Sequence, residues 1–123
     1  MANELTLSGS LAYSDSNDVE NTLDFSDVVK SVATKIIARH SQSIATSDTA
    51  LNLGSIGTLG YVLLINRDAS NYVNLKVAAS GTIIGRLEAD GGFAFFKVGS
   101  GITAPALIAD TSACIVECLL CSL

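Results

Sequence analysis

Apolar and polar residues alternate at the head of the chain. Leu5, Leu7, Gly9, Leu11 and Tyr13 interleave with Thr6, Ser8, Ser10, Ala12 and Ser14. A period of two sends alternate side chains to opposite faces of an extended strand, one face apolar and the other small and polar. The turn formers of SDSNDVEN (14–21) interrupt it. Further strands are expected at GYVLLINR (60–67), YVNLKVA (72–78), TIIGRLE (82–88), FAFFKV (93–98), ALIA (106–109) and CIVECLLCSL (114–123). Ser80-Gly81, ADGG (89–92) and GSGITAP (99–105) separate them, and Asp-Gly within ADGG tolerates positive φ. LLINRDASNYVNLKV (63–77) reads as a hairpin, with Asp68-Ala69-Ser70-Asn71 as its turn. Turn signals every eight to twelve residues or so are the rhythm of an all-β sandwich or barrel.

One segment fits two patterns. In SDVVKSVATKIIARHS (26–41), Val28, Val29, Val32, Ala33, Ile36 and Ile37 recur at helical spacing, with Lys30, Ser31, Thr34, Lys35 and Arg39 opposite. Ser26 or Asp27 would cap such a helix, and Arg39 and His40 would suit its C-terminus. Valine and isoleucine are poor helix formers, however, and KIIARHSQSI also reads as a strand. Both readings stand on the residues alone.

Composition adds an expectation of assembly. The chain has 123 residues, enough for one domain with a real core, and 49% are hydrophobic against 15% charged. That is more apolar surface than one small domain hides, so contacts between subunits are expected. An aromatic content of 6% with no tryptophan argues against a stacking platform for bases or sugars. The formal net charge is −5, and Lys30, Lys35, Arg39, Arg67 and Lys76 are scattered. Nucleic-acid binding needs a basic stripe, and anionic membranes repel an acidic surface, so neither partner is expected. MANELTLSGS lacks a basic start and an apolar h-region, and no apolar run approaches the length of a membrane helix. Synthesis and folding in a cytoplasm are expected.

The candidate chemistry is sparse. Cys114-x3-Cys118-x2-Cys121 matches the cysteine spacing of radical-SAM cluster sites, but a strand puts Cys114 and Cys118 on one face and Cys121 on the other. Buried thiols are the expectation, without a disulfide between Cys114 and Cys118. His40 is the single histidine and is expected at a surface or interface. With Ser41 and Asp48 it sketches a Ser–His–Asp set, but no nucleophile elbow accompanies it. Asp15, Asp18, Glu20, Asp24 and Asp27 cluster without the spacing of a calcium loop and read as a solvated acidic loop. Glu88 and Asp90 flank a turn and form a potential glycosidase pair, with few aromatic residues to hold a sugar. GSIGTLG and GSGITAP lack the Lys-Ser/Thr of a P-loop. No enzyme, cofactor, metal or small-molecule substrate is therefore expected.

GYVLLINRDASNYVNLKV (60–77) resembles a segment of small structural proteins of tailed bacteriophages, where a Gly-Tyr-apolar strand runs into an Asn-x-Asp-Ala-x-Asn-Tyr-Val turn. TSDTALNLGSIGTLGYV (46–62) is similar to the run before that strand, GRLEADGGFAFFKVGSG (85–101) to a later hairpin, and ADTSACIVECLL (109–120) to a closing strand. The likeness covers roughly residues 22–123, and the three C-terminal cysteines depart from it. Its turn motifs are shared by many β proteins. The resemblance implies an all-β antiparallel sandwich, jelly-roll-like, with about eight to nine strands, and it tips residues 25–32 and 35–44 toward strand. It implies a single domain overall, with residues 1–21 as an extended N-terminal arm and 22–123 as the sandwich. It further implies a capsid decoration or cement protein on the outer surface of a virion, bound to the major capsid protein and homotrimeric. A tail or baseplate component and a carbohydrate-binding jelly roll for host recognition are the alternatives. Leu5, Leu7, Leu11 and Tyr13 are the expected interaction residues, pairing with a neighbouring sheet edge. Asp68 and Asn71 are expected to cap backbone N–H groups in a structured turn. Tyr61, Tyr72 and Phe93–Phe96 are the aromatic candidates for a sugar, and alternation is expected to bury most of them.

Overall fold

A computed structural model describes residues 4–14, 20–31, 37–99 and 101–122. The described residues form ten strands: β1 (Glu4–Ser14), β2 (Glu20–Ser31), β3 (Ile37–Ile44), β4 (Thr49–Ala50), β5 (Leu59–Asn66), β6 (Val73–Lys76), β7 (Ile83–Leu87), β8 (Phe93–Lys97), β9 (Ala106–Ala109) and β10 (Cys114–Ser122). The fold is all-β and antiparallel. The chain divides into two compact units, residues 1–33 and 34–123. The resemblance places that line at 21/22.

The first unit is a two-stranded ribbon of β1 and β2. Leu11 lies opposite Leu23 and Gly9 opposite Phe25, and the register shifts between Leu7 and Gly9. Leu5, Leu7, Leu11, Leu23 and Phe25 therefore share one face. A Cβ on Gly9 would sit 2.8 Å from Cζ of Phe25, so the ring lies across the bare glycine backbone. The side chain of Tyr13 lies outside the described residues, as do residues 15–19 and 32–36.

The second unit is a sandwich of two four-stranded sheets, ordered β3-β10-β5-β8 and β4-β9-β6-β7. Its eight strands bond β3 to β10, β4 to β9, β5 to β8 and β6 to β7. This is the pairing of one long antiparallel hairpin folded over on itself. Period-two alternation builds the core. Ile44, Val62, Leu64, Val116, Cys118 and Leu120 point inward from one sheet, and Val73, Leu75, Leu87, Leu107 and Ala109 from the other.

Several expectations change against this frame. Residues 63–77 are not a hairpin. β5 already has β10 on one side and β8 on the other, so the chain after Asn66 crosses to the opposite sheet. The turn at Asp90 (φ 60°) and Gly91 (φ 101°) is also a crossover, from β7 to β8. β6 and β7 form the local hairpin of this region, closed by Ser80 at φ 59°. The helical reading of 26–41 fails where it is described: residues 26–31 belong to β2 and 37–41 to β3. Their β-branched residues suit a pleated sheet, and the partner strands decide the matter. β4 has only two residues and leaves no periodicity to read.

Candidate functional site

Three loops meet at one end of the sandwich: 67–72 after β5, 88–92 after β7 and 110–113 after β9. Asn66 joins the first two. It continues the inward-facing series of Val62 and Leu64, and it is fully buried. Its Nδ2 donates to the carbonyl oxygens of Asn71 at 2.8 Å, Leu87 at 3.2 Å and Glu88 at 3.2 Å. Its Oδ1 accepts the N–H of Asp68 at 3.0 Å. Two N–H bonds serving three carbonyls means that the two longer contacts share one hydrogen.

Asp68 organises the turn itself. Oδ1 accepts the backbone N–H of Asn71 at 2.7 Å and of Ser70 at 2.8 Å. These bonds, Asn71 first, hold the Asp68 carboxyl below its usual range. The Asn71 side chain caps no backbone N–H; its Nδ2 donates back to Asp68 Oδ1 at 3.3 Å, and the amide also reaches the third loop. Its Nδ2 donates to Ser112 Oγ at 3.1 Å, and its Oδ1 accepts from Thr111 Oγ1 at 2.7 Å. Backbone bonds close the corner, from Asp90 N to Asp68 O at 2.7 Å and from Arg67 N to Ile115 O at 2.9 Å. The side chains of Asn66, Asp68 and Asn71 thus hold the loops of this end together.

The other residues picked out as candidate chemistry disperse. Asp48 accepts Lys76 Nζ at 2.6 Å and the Ser80 N–H at 2.6 Å. The lysine, then the N–H, lowers its carboxyl pKa. His40 and Ser41 project from opposite faces of β3. His40 is half-buried: it lies on the inward-facing register with Ala38 and Ile44, and its Nε2 is buried without a hydrogen-bond partner. All three cysteines are free and buried. Burial pushes the Cys118 thiol up to about 11 and raises Cys114 and Cys121 as well, so none is activated as a thiolate. Of the acidic group, Asp24 is exposed on β2, Glu20 has its backbone described, and Asp15 and Asp18 and the side chains of Glu20 and Asp27 lie outside the described residues. Among the described residues, no three His, Cys, Asp or Glu side chains converge as a metal site, and no helix is long and apolar enough to cross a membrane.

The outer face of β3-β10-β5-β8 is the most distinctive surface. Register aligns Arg39, Leu119, Leu63 and Phe95 in one row and Ser41, Glu117, Ile65 and Phe93 in the next. Ile37, Phe93 and Ile115 are 57%, 59% and 48% exposed. Tyr61 and Phe95 stack with centroids 6.0 Å apart, and Lys97 Nζ lies 5.9 Å from the Tyr61 ring. Glu117 bridges Arg67 at 2.8 Å and Arg39 at 3.1 Å beside a depression of about 230 Å³ lined by Leu63, Ile65 and Leu119. The two guanidinium groups, Arg67 first, hold the Glu117 carboxyl below its usual range. Alternation buries the aromatics only in part: Phe93 is exposed, Tyr61, Tyr72 and Phe95 are half-buried, and Phe96 packs against the core. Arg86 covers the Tyr72 ring at 3.7 Å.

Charge is divided between the two units. Residues 1–33 contain six carboxylates (Glu4, Asp15, Asp18, Glu20, Asp24, Asp27) and one basic residue, Lys30, a net −5. Residues 34–123 contain six of each sign and are neutral. Comparison of the chain with protein-family models, curated proteins and solved structures finds no match.

Proposed function

We propose that this chain is a non-enzymatic structural protein of a tailed-bacteriophage virion, a capsid decoration or cement protein that bridges capsid subunits as a homotrimer on the outer shell. The sandwich is read as a jelly roll, since the four nested strand pairs are those of a hairpin rolled into two sheets. The observation that carries the reading is an apolar outer sheet face on a sandwich whose loop-end polar groups are spent on holding loops together. Such a body suits assembly better than turnover. The resemblance at 60–77 supplies the virion context. Binding only the assembled lattice would stabilise the head by mass action.

A sugar-binding role is less well supported. The ring faces of Tyr61 and Tyr72 are next to Lys97 and Arg86 of the same chain. A tail or baseplate role would use the same fold. Quantitative mass spectrometry of purified virions separates the two positions. Hundreds of copies per particle are expected for a shell protein. A few dozen or fewer would move the protein to the tail, and absence from particles would refute the virion reading.

A further inference from the structure

The β1–β2 ribbon has one face that is ill suited to water. Two-stranded sheets are marginal on their own, and an apolar face becomes stable once something packs on it. Here that face carries Leu5, Leu7, Leu11, Leu23 and Phe25. The carboxylates whose side chains are described, Glu4 and Asp24, stand on the other face, in register with Ser31 and Ser10. Alternation therefore keeps these like charges out of any contact that the apolar face makes.

The apolar face also has relief. Leu11 and Leu23, directly opposed, are 66% and 65% exposed and form a raised row. The next row, two residues along, is low. Gly9 has no side chain, and the Phe25 ring lies down across it: a Cβ on Gly9 would sit 2.8 Å from Phe25 Cζ and 3.0 Å from Cε2. Raised row and low row are neighbours on one face, roughly 7 Å apart. A two-fold axis passing between them lays the raised row of each copy on the low row of the other. Leu11 then rests over Gly9 and Leu23 over Phe25, in both directions at once. One surface thus holds both halves of the contact, and its fitting occupant is an identical ribbon.

We infer that the apolar face of the ribbon packs on the same face of the ribbon in a second copy of this chain, across a two-fold axis between the Gly9 and Leu11 rows. The two ribbons become a four-stranded sandwich, with Leu11, Leu23 and Phe25 of both copies inside and Glu4 and Asp24 outside. Lys30, opposite Leu5 in the register, is carried roughly 10 residue spacings, about 33 Å, from its counterpart. A two-fold contact does not build a trimer; where trimers form through another surface, it ties one trimer to the next. The inference goes beyond the virion reading and does not depend on it: purified protein tests it, whereas copy number per particle tests the virion.

The first readout is light scattering coupled to gel filtration on the full chain. The wild type is expected at an even multiple of its 12.7 kDa mass. Leu11→Ser/Leu23→Ser is expected at half the wild-type mass, its association weakened roughly a hundredfold or more by the loss of both leucines from each copy. Asp24→Ser, on the opposite face, is expected to keep the wild-type mass. Circular dichroism shows that each variant keeps its strands, and Leu23→Ser alone replaces the double variant if that one does not. The second readout places the contact. The two-fold brings the two Leu11 positions within roughly 12 Å of each other, from the row offset and the spacing of stacked sheets. Leu11→Cys treated with a short bismaleimide is therefore expected to give a covalent dimer, the native thiols being buried. A wild type at an odd multiple, a monomer or a lone trimer, overturns the inference. So does a double variant that keeps the wild-type mass, or an Asp24→Ser that halves it. So does a Leu11→Cys protein that associates but stays unlinked, the result expected of a ribbon docked on some other surface of the next copy.

Discussion

Replacing Asn66 tests whether its side chain holds the loop end together. The side chain is fully buried and makes two N–H bonds' worth of donation plus one acceptance. Asn66→Ala removes about three hydrogen bonds at about 1 kcal/mol each from a fully buried position. The backbone bonds of residue 66, to Gly92 O at 2.8 Å and from Gly91 N at 2.9 Å, remain. The expected loss is about 3–5 kcal/mol, a large share of a domain stability of about 5–15 kcal/mol. Urea unfolding should show a lower midpoint at constant slope, and Tm should fall by about 12 °C or more. Asn66→Asp sharpens the test. It keeps an acceptor for the Asp68 N–H but turns a carboxylate toward three carbonyl oxygens. At neutral pH it should be worse than alanine, and the gap between them should narrow as acid protonates the new carboxyl and supplies a donor. A loss below about 1 kcal/mol for alanine, or an aspartate milder than alanine at neutral pH, would refute the network as drawn.

Three further predictions come from the sandwich. A Cβ at Gly92 would lie 2.3 Å from Glu88 N and 2.5 Å from Glu88 O, so Gly92→Ala must open the turn; it should cost about 2 kcal/mol or more by urea unfolding. Gly57→Ala, with nothing within 4 Å, should be near neutral, and equal effects at the two sites would sink the argument. His40→Leu removes a buried, unpartnered Nε2 and should leave stability unchanged or raise it by about 1 kcal/mol; a loss above about 2 kcal/mol would mean that the imidazole is satisfied after all. Asp48, Asp68 and Glu117 have carboxyl pKa values lowered by folding from 3.8, 3.8 and 4.5, so their stabilisation is full above those values and is lost as pH falls through the lower folded ones. Cys118 is raised from 9.0 to about 11, so the fold holds the proton more tightly; stability is full below pH 9 and falls as pH rises toward about 11. Asp68→Asn should flatten the acid limb of a stability–pH curve and Cys118→Ala the alkaline limb, and unchanged limbs would refute these assignments.

Most of the strands are legible because they obey a local rule. Leu59–Asn66 alternates buried with half-buried side chains from Val62 onward, and its inward series can be read off the letters. What the letters do not carry is which strand lies beside which. LLINRDASNYVNLKV has the grammar of a hairpin, but β10 and β8 already flank β5, and a partner chosen some fifty residues away leaves no local trace. The two-residue β4 is set by its pairing with β9, with the Gln42 amide binding Ala50 O and Asn52 N, and not by any periodicity of its own. The helical spacing of 26–41 fails for a related reason: the weak intrinsic preference of Val and Ile was decided by available partners, β1 for residues up to 31 and β10 from 37.

The same argument explains why the loop-end hub was missed and its neighbour was not. Asp68 announces itself, because an aspartate before Ser-Asn binds the next N–H groups within its own turn. Asn66 binds the carbonyls of Leu87 and Glu88, distant along the chain, and only its placement two residues beyond Leu64, on the buried face, marked it as a polar group at a core position. Glu117 is the outward counterpart, a single charge in the apolar strand CIVECLLCSL. Parity places it outside, but its partners come from either side of β10, Arg39 from β3 and Arg67 from the loop that follows β5. The apolar rows on that face, Leu119-Leu63-Phe95 and Ile65-Phe93, likewise exist only through register. Three strands with unremarkable outward residues become one apolar surface once they are laid side by side. An excess of hydrophobic residues is therefore readable in the composition, while the surface on which they gather is fixed by long-range pairing alone.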